Sequence, residues 1–259
     1  MASAIIGGLL RQGLRADQLS VVEPFGPTRD KLLAQFGIQA LAAADARLAP
    51  STLVVWAVKP QTFRDAAAAA RPHTLEALHL SVAAGIRSDS IARWLGTERI
   101  VRSMPNTPAL VGKGMTALFA RAAATADDRT TVENVMASTG EVLWVQQESQ
   151  LDAVTAISGS GPAYVFYFIE AMTEAGVGMG LTREQAHRLA VGTFVGASEL
   201  ARTAQDPPEI LRERVTSKGG TTFAAISAME HANMKALFVR AIQAAEVRAR
   251  ELGDEFGKD

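Results

Sequence analysis

A chain of 259 residues that is 48% hydrophobic and 20% charged has the balance of an ordinary soluble globular protein, long enough for one large core or two smaller ones. With 26 basic residues against 27 acidic ones and no block of like charge, it offers neither a basic track for nucleic acid nor a polybasic patch for a membrane surface. The absence of cysteine excludes disulfides, thiolate chemistry and Cys-based metal sites, and is compatible with a reducing, cytoplasmic setting.

The N-terminal segment MASAIIGGLLRQGL has no basic region before its apolar run and does not read as a signal peptide. Met1–Ala4 looks like the opening of a helix. Residues 19–22 form a short apolar run that ends at Glu23-Pro24, where a second strand is expected. Helical spacing over 28–36 closes at Gly37. The run LVVWAV at 53–58 is continuously apolar, as in a strand buried on both faces, and stops at Lys59-Pro60 before a helix over 61–70. LHLSVAA at 78–84 repeats the pattern, stops at Gly85 and leads to a helix around Ser88–Leu95. Further strands are expected at 100–103, 115–119 and 142–145. Alternation of strands and helices at this spacing predicts an α/β fold with a doubly wound, mostly parallel sheet.

After Gln147 only helical spacing is left, over 162–175, 182–203, 208–215, 222–231 and 234–252. Thr182 followed by Gln185 forms a capping-box pattern, and Pro162 suits a first helical turn. The expected division is an α/β domain at 1–150 and an all-helical domain at 151–259. The apolar stretch 158–181 is long enough for a membrane span, but Glu170, Glu174 and the glycines at 176, 178 and 180 favour a buried helix. Val165, Phe166, Phe168, Ile169 and Met172 cover much of that helix, and a helix apolar all round must be buried. A domain of about a hundred residues has little interior for it, so a homodimer through this domain is expected.

Ligands of open α/β sheets bind beyond the carboxyl ends of the strands. Three strand ends here carry distinctive tips: Ala57-Val58-Lys59-Pro60, Ala83-Ala84-Gly85, and the turn around Asn106 in Met104-Pro105-Asn106-Thr107-Pro108. Small residues let a cofactor approach the backbone, and Lys59 could meet a phosphate; ordinary loops with a solvated lysine are the alternative. The usual G-x-G-x-x-G turn does not precede the first helix. Glu23 stands where an acidic residue meets an adenosine ribose 2′-hydroxyl, or else is a surface glutamate before a proline turn. Ser158-Gly159-Ser160-Gly161-Pro162 lacks the glycine two residues before the serine that a hydrolase elbow needs, and reads as a tight turn before a buried helix. In Val215-Thr216-Ser217-Lys218-Gly219-Gly220-Thr221-Thr222, consecutive N–H groups at a helix start would cradle a carboxylate or phosphate, with simple capping by Thr221 or Thr222 as the alternative. His73, His79, His187 and His231 lack the spacing of a zinc site, so no metal is expected.

Four blocks in order, AVKP at 57–60, the region through MPNTP at 104–108, SGSGPAY at 158–164 and PEILRERVTSKGGTTFAAISAME at 208–230, resemble the pyrroline-5-carboxylate reductase family over essentially the whole chain. The last block is the most specific. The resemblance implies a Rossmann-type domain, then a helical domain that interlocks with a partner as a homodimer; dimers of the family often assemble further. It implies NADH or NADPH contacts at Ala57, Val58, Lys59 and Pro60, with Ala83, Ala84 and Gly85 near the nicotinamide. The substrate carboxylate would rest on Ser217, Gly219, Gly220 and Thr221, and the Thr222 hydroxyl would face the imine nitrogen. The implied reaction is reduction of 1-pyrroline-5-carboxylate to L-proline, the last step of proline biosynthesis.

The chain departs from the family in two places. It begins at the Met of a turn that resembles G-x-G-N-M, about a dozen residues short of the family's opening strand and turn. Lys218 stands where many members have proline. Two other readings are open: a two-domain dehydrogenase of the β-hydroxyacid type, whose usual lysine acid is missing from 162–175, and a dimeric binding protein without catalysis. Glu23 leans toward NADH, while Arg29 could accept the 2′-phosphate of NADPH.

Overall fold

The computed structural model describes residues 1–257. Its sheet is assembled from the apolar runs in chain order. β1 (Leu53–Trp56) and β2 (Leu78–Ser81) lie parallel with Trp56 opposite Ser81, and β3 (Ile100–Met104) continues parallel with Arg102 opposite Ser81. β4 (Gly114–Ala120) runs antiparallel to β3, and β5 (Gly140–Trp144) is parallel to β4, giving the order β1-β2-β3-β4-β5. The reversal at β4 follows from its connection, a short 3₁₀ turn over Thr107–Val111. A parallel return needs a crossover of a dozen or more residues.

Five expected strands are present, and the run at 19–22 is not one of them. It makes a single parallel bridge, Val22 to Leu41, flanked by the bonds Leu41 N–H to Val21 O and Glu23 N–H to Leu41 O. Pro24 has no N–H with which to extend the ladder. The strands at 53–58 and 78–84 also end early, at Trp56 and Ser81, because their small C-terminal residues turn out of the sheet.

Helices flank both faces: α1 (Ala2–Arg11), α2 (Gly26–Phe36), α3 (Pro60–Thr74), α4 (Ser88–Leu95), α5 (Ala126–Ala137) and the short α6 (Gln150–Val154). α5 was not expected from periodicity. Its sequence signal is the capping box of Thr125 and Asp128, in which each side chain accepts from the other's backbone N–H. The hydrogen-bonded Arg99 guanidinium holds the Asp128 carboxyl down at about 2.

Two apolar clusters sandwich the sheet. Trp56, Phe63, Ile86, Ile91, Leu95 and Ile100 form one; Ile5, Leu78, Leu80, Leu118, Val132 and Met136 form the other. β2 is buried throughout, which places His79 in the first layer beside Trp56. The Trp56 indole donates to His79 Nδ1 at 3.0 Å, so Nε2 carries the ring proton and donates to the Thr74 carbonyl at 3.0 Å. Burial pushes the imidazole down to about 4, below its ordinary 6.5. The folded state therefore binds fewer protons than the unfolded chain between those values. Stability should be complete above about pH 6.5 and decline as pH falls toward 4, by about 3 kcal/mol in all. Urea midpoints from pH 7 to 4.5 should fall less steeply for His79→Asn than for the parent chain.

The first compact unit comprises Met1–Ser160 and the chain from Ala245 onward; the second comprises Gly161–Ala244. The division falls after Ser160 rather than near residue 150, because Leu151 of α6 and Ala156 of the following π-turn (Thr155–Gly159) are buried within the first unit. Ser158 and Gly159 are thus part of a widened helical turn, not a tight turn; a Cβ on Gly159 would strike the Met104 methyl group.

The second unit holds α7 (Gly161–Gly178), α8 (Arg183–Thr203), α9 (Pro208–Arg214), α10 (Thr221–His231) and the first part of α11 (Met234–Phe256). Thr182 and Gln185 make the expected capping box. Tyr164, Phe168 and Phe238 pack edge to face. Within this single chain α7 buries only Thr173 and Gly176, while Phe166, Tyr167 and Met172 stand exposed, as do Val195 and Leu200 on α8. Among the described residues, no helix is long and apolar enough to cross a membrane.

Candidate functional site

The register of β1, β2 and β3 brings their carboxyl ends to one end of the sheet. There the chain turns sharply at each tip. Lys59 is extended and precedes Pro60, the first residue of α3; its carbonyl accepts from the Thr62 N–H and hydroxyl at 3.0 and 3.1 Å. The Ala57 and Lys59 side chains are exposed and Val58 is half-buried. On the next strand Val82 N–H donates to Trp56 O, and Ala83 N–H reaches Ser81 Oγ at 3.3 Å. Ser103 Oγ on β3 donates to Ser81 O at 2.9 Å, so one serine ties the second and third strand ends together. Ala83 points inward, Ala84 is exposed, and Gly85 adopts the left-handed conformation at φ +72°. The outcome is a rim of methyl groups and bare backbone that a flat ring can approach closely.

Asn106 sits differently. Its amide nitrogen donates to Ser158 O and Oγ, both at 3.2 Å, and its oxygen accepts from Met115 N–H at 2.9 Å. The side chain is engaged within the protein, so its part is to hold the turn after β3. Glu23 follows the Val22 bridge, and its carboxylate accepts from Phe25 N–H at 2.8 Å. Arg29 Nη1 donates to the carbonyls of Glu23 and Pro24 at 2.9 and 2.7 Å, which commits that nitrogen to closing the turn.

The second group lies in the other unit. Gly220 N–H donates to Ser217 O at 3.0 Å across Lys218 and Gly219, and Gly219 has φ +76°. This is a type II turn, which requires a positive φ at its third position. Gly220 is the N-cap of α10 and no side chain caps the helix, so neither threonine plays the capping part. A Cβ on Gly220 would lie 2.6 Å from Ser217 Oγ, which keeps the turn tight against the helix start. The first N–H groups of α10 are left for an anion, and the half-buried Thr222 carries a hydroxyl beside them. Lys218 occupies the second turn position, for which proline is pre-organised. Lys218→Pro should raise stability by about 0.5–1 kcal/mol and leave kcat intact. A lower thermal midpoint would refute this account of the turn.

Periodicity also missed a buried arginine. Arg102, in the middle of β3, donates to Glu148 Oε1 at 2.6 Å, and the same carboxylate accepts from Ser88 N–H and Ser88 Oγ, each at 2.6 Å. Arg102 Nε is buried without a partner among the described residues. Nearby Asp152 is pushed up by burial, against the pull of Arg102. An arginine inside the apolar run IVRSM was the available signal. Among the described residues no group of three or more His, Asp and Glu could hold a metal ion.

Residues 148–252 match the family model for pyrroline-5-carboxylate reductase dimerisation. The chain is 41% identical over 260 residues to the pyrroline-5-carboxylate reductase of Pseudomonas aeruginosa, spanning 100% of this chain and 95% of that one. The solved structure of a pyrroline-5-carboxylate reductase from Coxiella burnetii matches with a TM-score of 0.88 at 36% identity, over 97% of this chain and 94% of that one. The Plasmodium falciparum pyrroline carboxylate reductase, solved with NADP bound, matches with a TM-score of 0.86 at 27% identity, again over 97% and 94%. Likeness of that degree along the whole chain, across both units, makes this protein a member of the pyrroline-5-carboxylate reductase family.

Proposed function

We propose that this chain reduces 1-pyrroline-5-carboxylate to L-proline with NADH or NADPH. The observation that carries this reading is the full-length likeness to reductases of that name. The cofactor supplies the hydride; the protein supplies position and electrostatics. In the reaction the hydride adds to C5, the C=N π electrons move to nitrogen, and the nitrogen gains one proton. An imine is basic enough to take that proton before or during hydride arrival, so a dedicated His or Lys acid is unnecessary. A site of hydroxyls and backbone amides suits this chemistry.

The residue roles are those that the resemblance implies, and the two groups of geometry suit them. The rim of Ala57, Val58, Lys59 and Pro60 receives the cofactor's phosphates and ribose, Ala83, Ala84 and Gly85 floor the nicotinamide, and Glu23 lies toward the adenosine ribose. Asn106 holds the neighbouring turn. The Ser217–Gly220 turn and Thr221 seat the substrate carboxylate at the start of α10, and Thr222 faces the imine nitrogen. The first unit thus serves the cofactor and the second the substrate.

The working form is a homodimer, supported by the exposed apolar residues of α7 and α8 and by the dimerisation family matched over 148–252. Its reductant, made and reused inside cells, supports a cytoplasmic setting and a place in proline biosynthesis. The test is the loss of reduced-nicotinamide absorbance with 1-pyrroline-5-carboxylate, run with each cofactor, beside light scattering of the purified protein. No oxidation with either cofactor would end the catalytic reading, and a monomer at assay concentration would end the dimeric one.

A further inference from the structure

The turn proposed to floor the nicotinamide is soft by composition. It ends in Gly85, which has a left-handed backbone and no side chain to anchor it. The last turns of α11 supply what it lacks. A Cβ on Gly85 would lie 3.1 Å from the Phe256 ring and 3.3 Å from Leu252 Cβ, so both residues close directly onto the glycine backbone. Phe256 also packs against the apolar cluster containing Ile86 and Ile91.

Polar contacts fasten the same helix end to the residues that follow. Arg87 pairs with Asp254 at 2.6 Å, and a Cβ on Gly253 would lie 3.2 Å from Arg87 Nε, so the guanidinium lies close against the helix at Gly253. Ser90 Oγ and Arg93 Nη2 donate to the Gly257 carbonyl at 3.3 and 3.2 Å. All these contacts fall on residues 85–93, directly behind the exposed Ala84. The segments lie far apart in sequence, 167 residues for Ser90 and Gly257, so the end of α11 braces both this turn and α4 behind it.

We infer that the end of α11, through Phe256 and Asp254, is a positioning element that sets the Ala83–Gly85 turn for cofactor binding. This rests on the proposed cofactor role of that turn. Displacing a binding surface by about an ångström is enough to cost a large factor in rate. Phe256→Ala should weaken NADH binding, read by fluorescence titration, about tenfold and raise the KM for NADH in parallel, with the KM for 1-pyrroline-5-carboxylate unchanged. Phe256→Leu should restore most of the affinity.

Should Phe256→Ala fail to fold, the exposed ion pair provides a second route. Asp254→Lys places two cations together and should weaken NADH binding about threefold, and the swap Arg87→Asp with Asp254→Arg should recover it. A lower thermal midpoint with unchanged NADH affinity, in Phe256→Ala or in Asp254→Lys, would reduce the helix end to a structural prop and overturn the inference. Ala84→Leu separates the two readings. If it abolishes NADH binding while the α11 variants bind normally, the inference alone fails. If it leaves NADH binding intact, the cofactor role of the turn fails and takes the inference with it.

Discussion

Thr222→Ala should lower kcat for 1-pyrroline-5-carboxylate about 10- to 100-fold while the protein stays folded. The half-buried hydroxyl sits in the first turn of α10, and no residue of the described chain engages it. Facing a substrate nitrogen, it would contribute about 1–3 kcal/mol, because its removal leaves the nitrogen unsatisfied. The fold has little reason to respond. Alanine is the better helix former, and no cap is lost, since Gly220 holds the N-cap position without a side-chain bond. The thermal midpoint should therefore stay level or rise. A bond that strengthens in the transition state appears in kcat with KM little changed, whereas a ground-state contact appears in KM. Thr222→Ser, which keeps the hydroxyl, should recover most of the turnover. Parent-like kinetics in the alanine variant would remove Thr222 from the mechanism.

The largest loss of stability is expected from Glu148→Ala. That carboxylate is the shared acceptor for Arg102, whose side chain is only 9% exposed, and for the backbone and hydroxyl of Ser88 at the start of α4. Removing it strands a buried cation whose Nε already lacks a partner among the described residues, together with a helix N–H. Breaking one side of such a pair costs about 3–5 kcal/mol, or about 10 °C in thermal midpoint for a protein of this size. The pair itself is a weaker asset than that loss implies, because both charges were taken out of water to form it. The double change Arg102→Met with Glu148→Leu should accordingly recover most of the lost stability. Urea unfolding of the two variants decides the matter: if the double variant is no more stable than Glu148→Ala, stranding of the cation is the wrong explanation. Because Arg102 and Ser88 flank the strand ends that form the rim, the single variant should also weaken NADH binding.

The α/β core was legible because its central strands, β2 and β3, are buried on both faces, whereas β1 is half-buried over Leu53–Val55. LHLSVAA reads correctly as a buried strand over Leu78–Ser81, LVVWAV is only half-buried over Leu53–Val55, and Lys59-Pro60 and Gly85 mark where each run ends. The helix boundaries at Ser88–Leu95 and Thr182 were equally plain, set by residues within one turn of the boundary. The Gly219-Gly220 pair marked a tight turn before α10 because a positive φ and a helix start are local demands. His79, open in the sequence between a surface and a core position, is buried with Trp56 and Thr74 as its partners.

The amino-acid sequence by itself determined most of the strands, the Thr182 cap, the paired-glycine turn before α10 and the membership of a reductase family, since each depends on residues close together in the chain or on motifs kept in order. Only the tertiary structure decided that Arg102 would meet Glu148 across 46 residues, that Asn106 would spend its amide on Ser158 and Met115, and that Phe256 would close on Gly85. It also reversed β4, because the nine residues between β3 and β4 are too few for a crossover. Backbone propensity and side-chain period act over one or two turns of helix or a few residues of strand. The pairings that position this site join segments whose meeting depends on how the whole chain is threaded, and no local pattern carries that information.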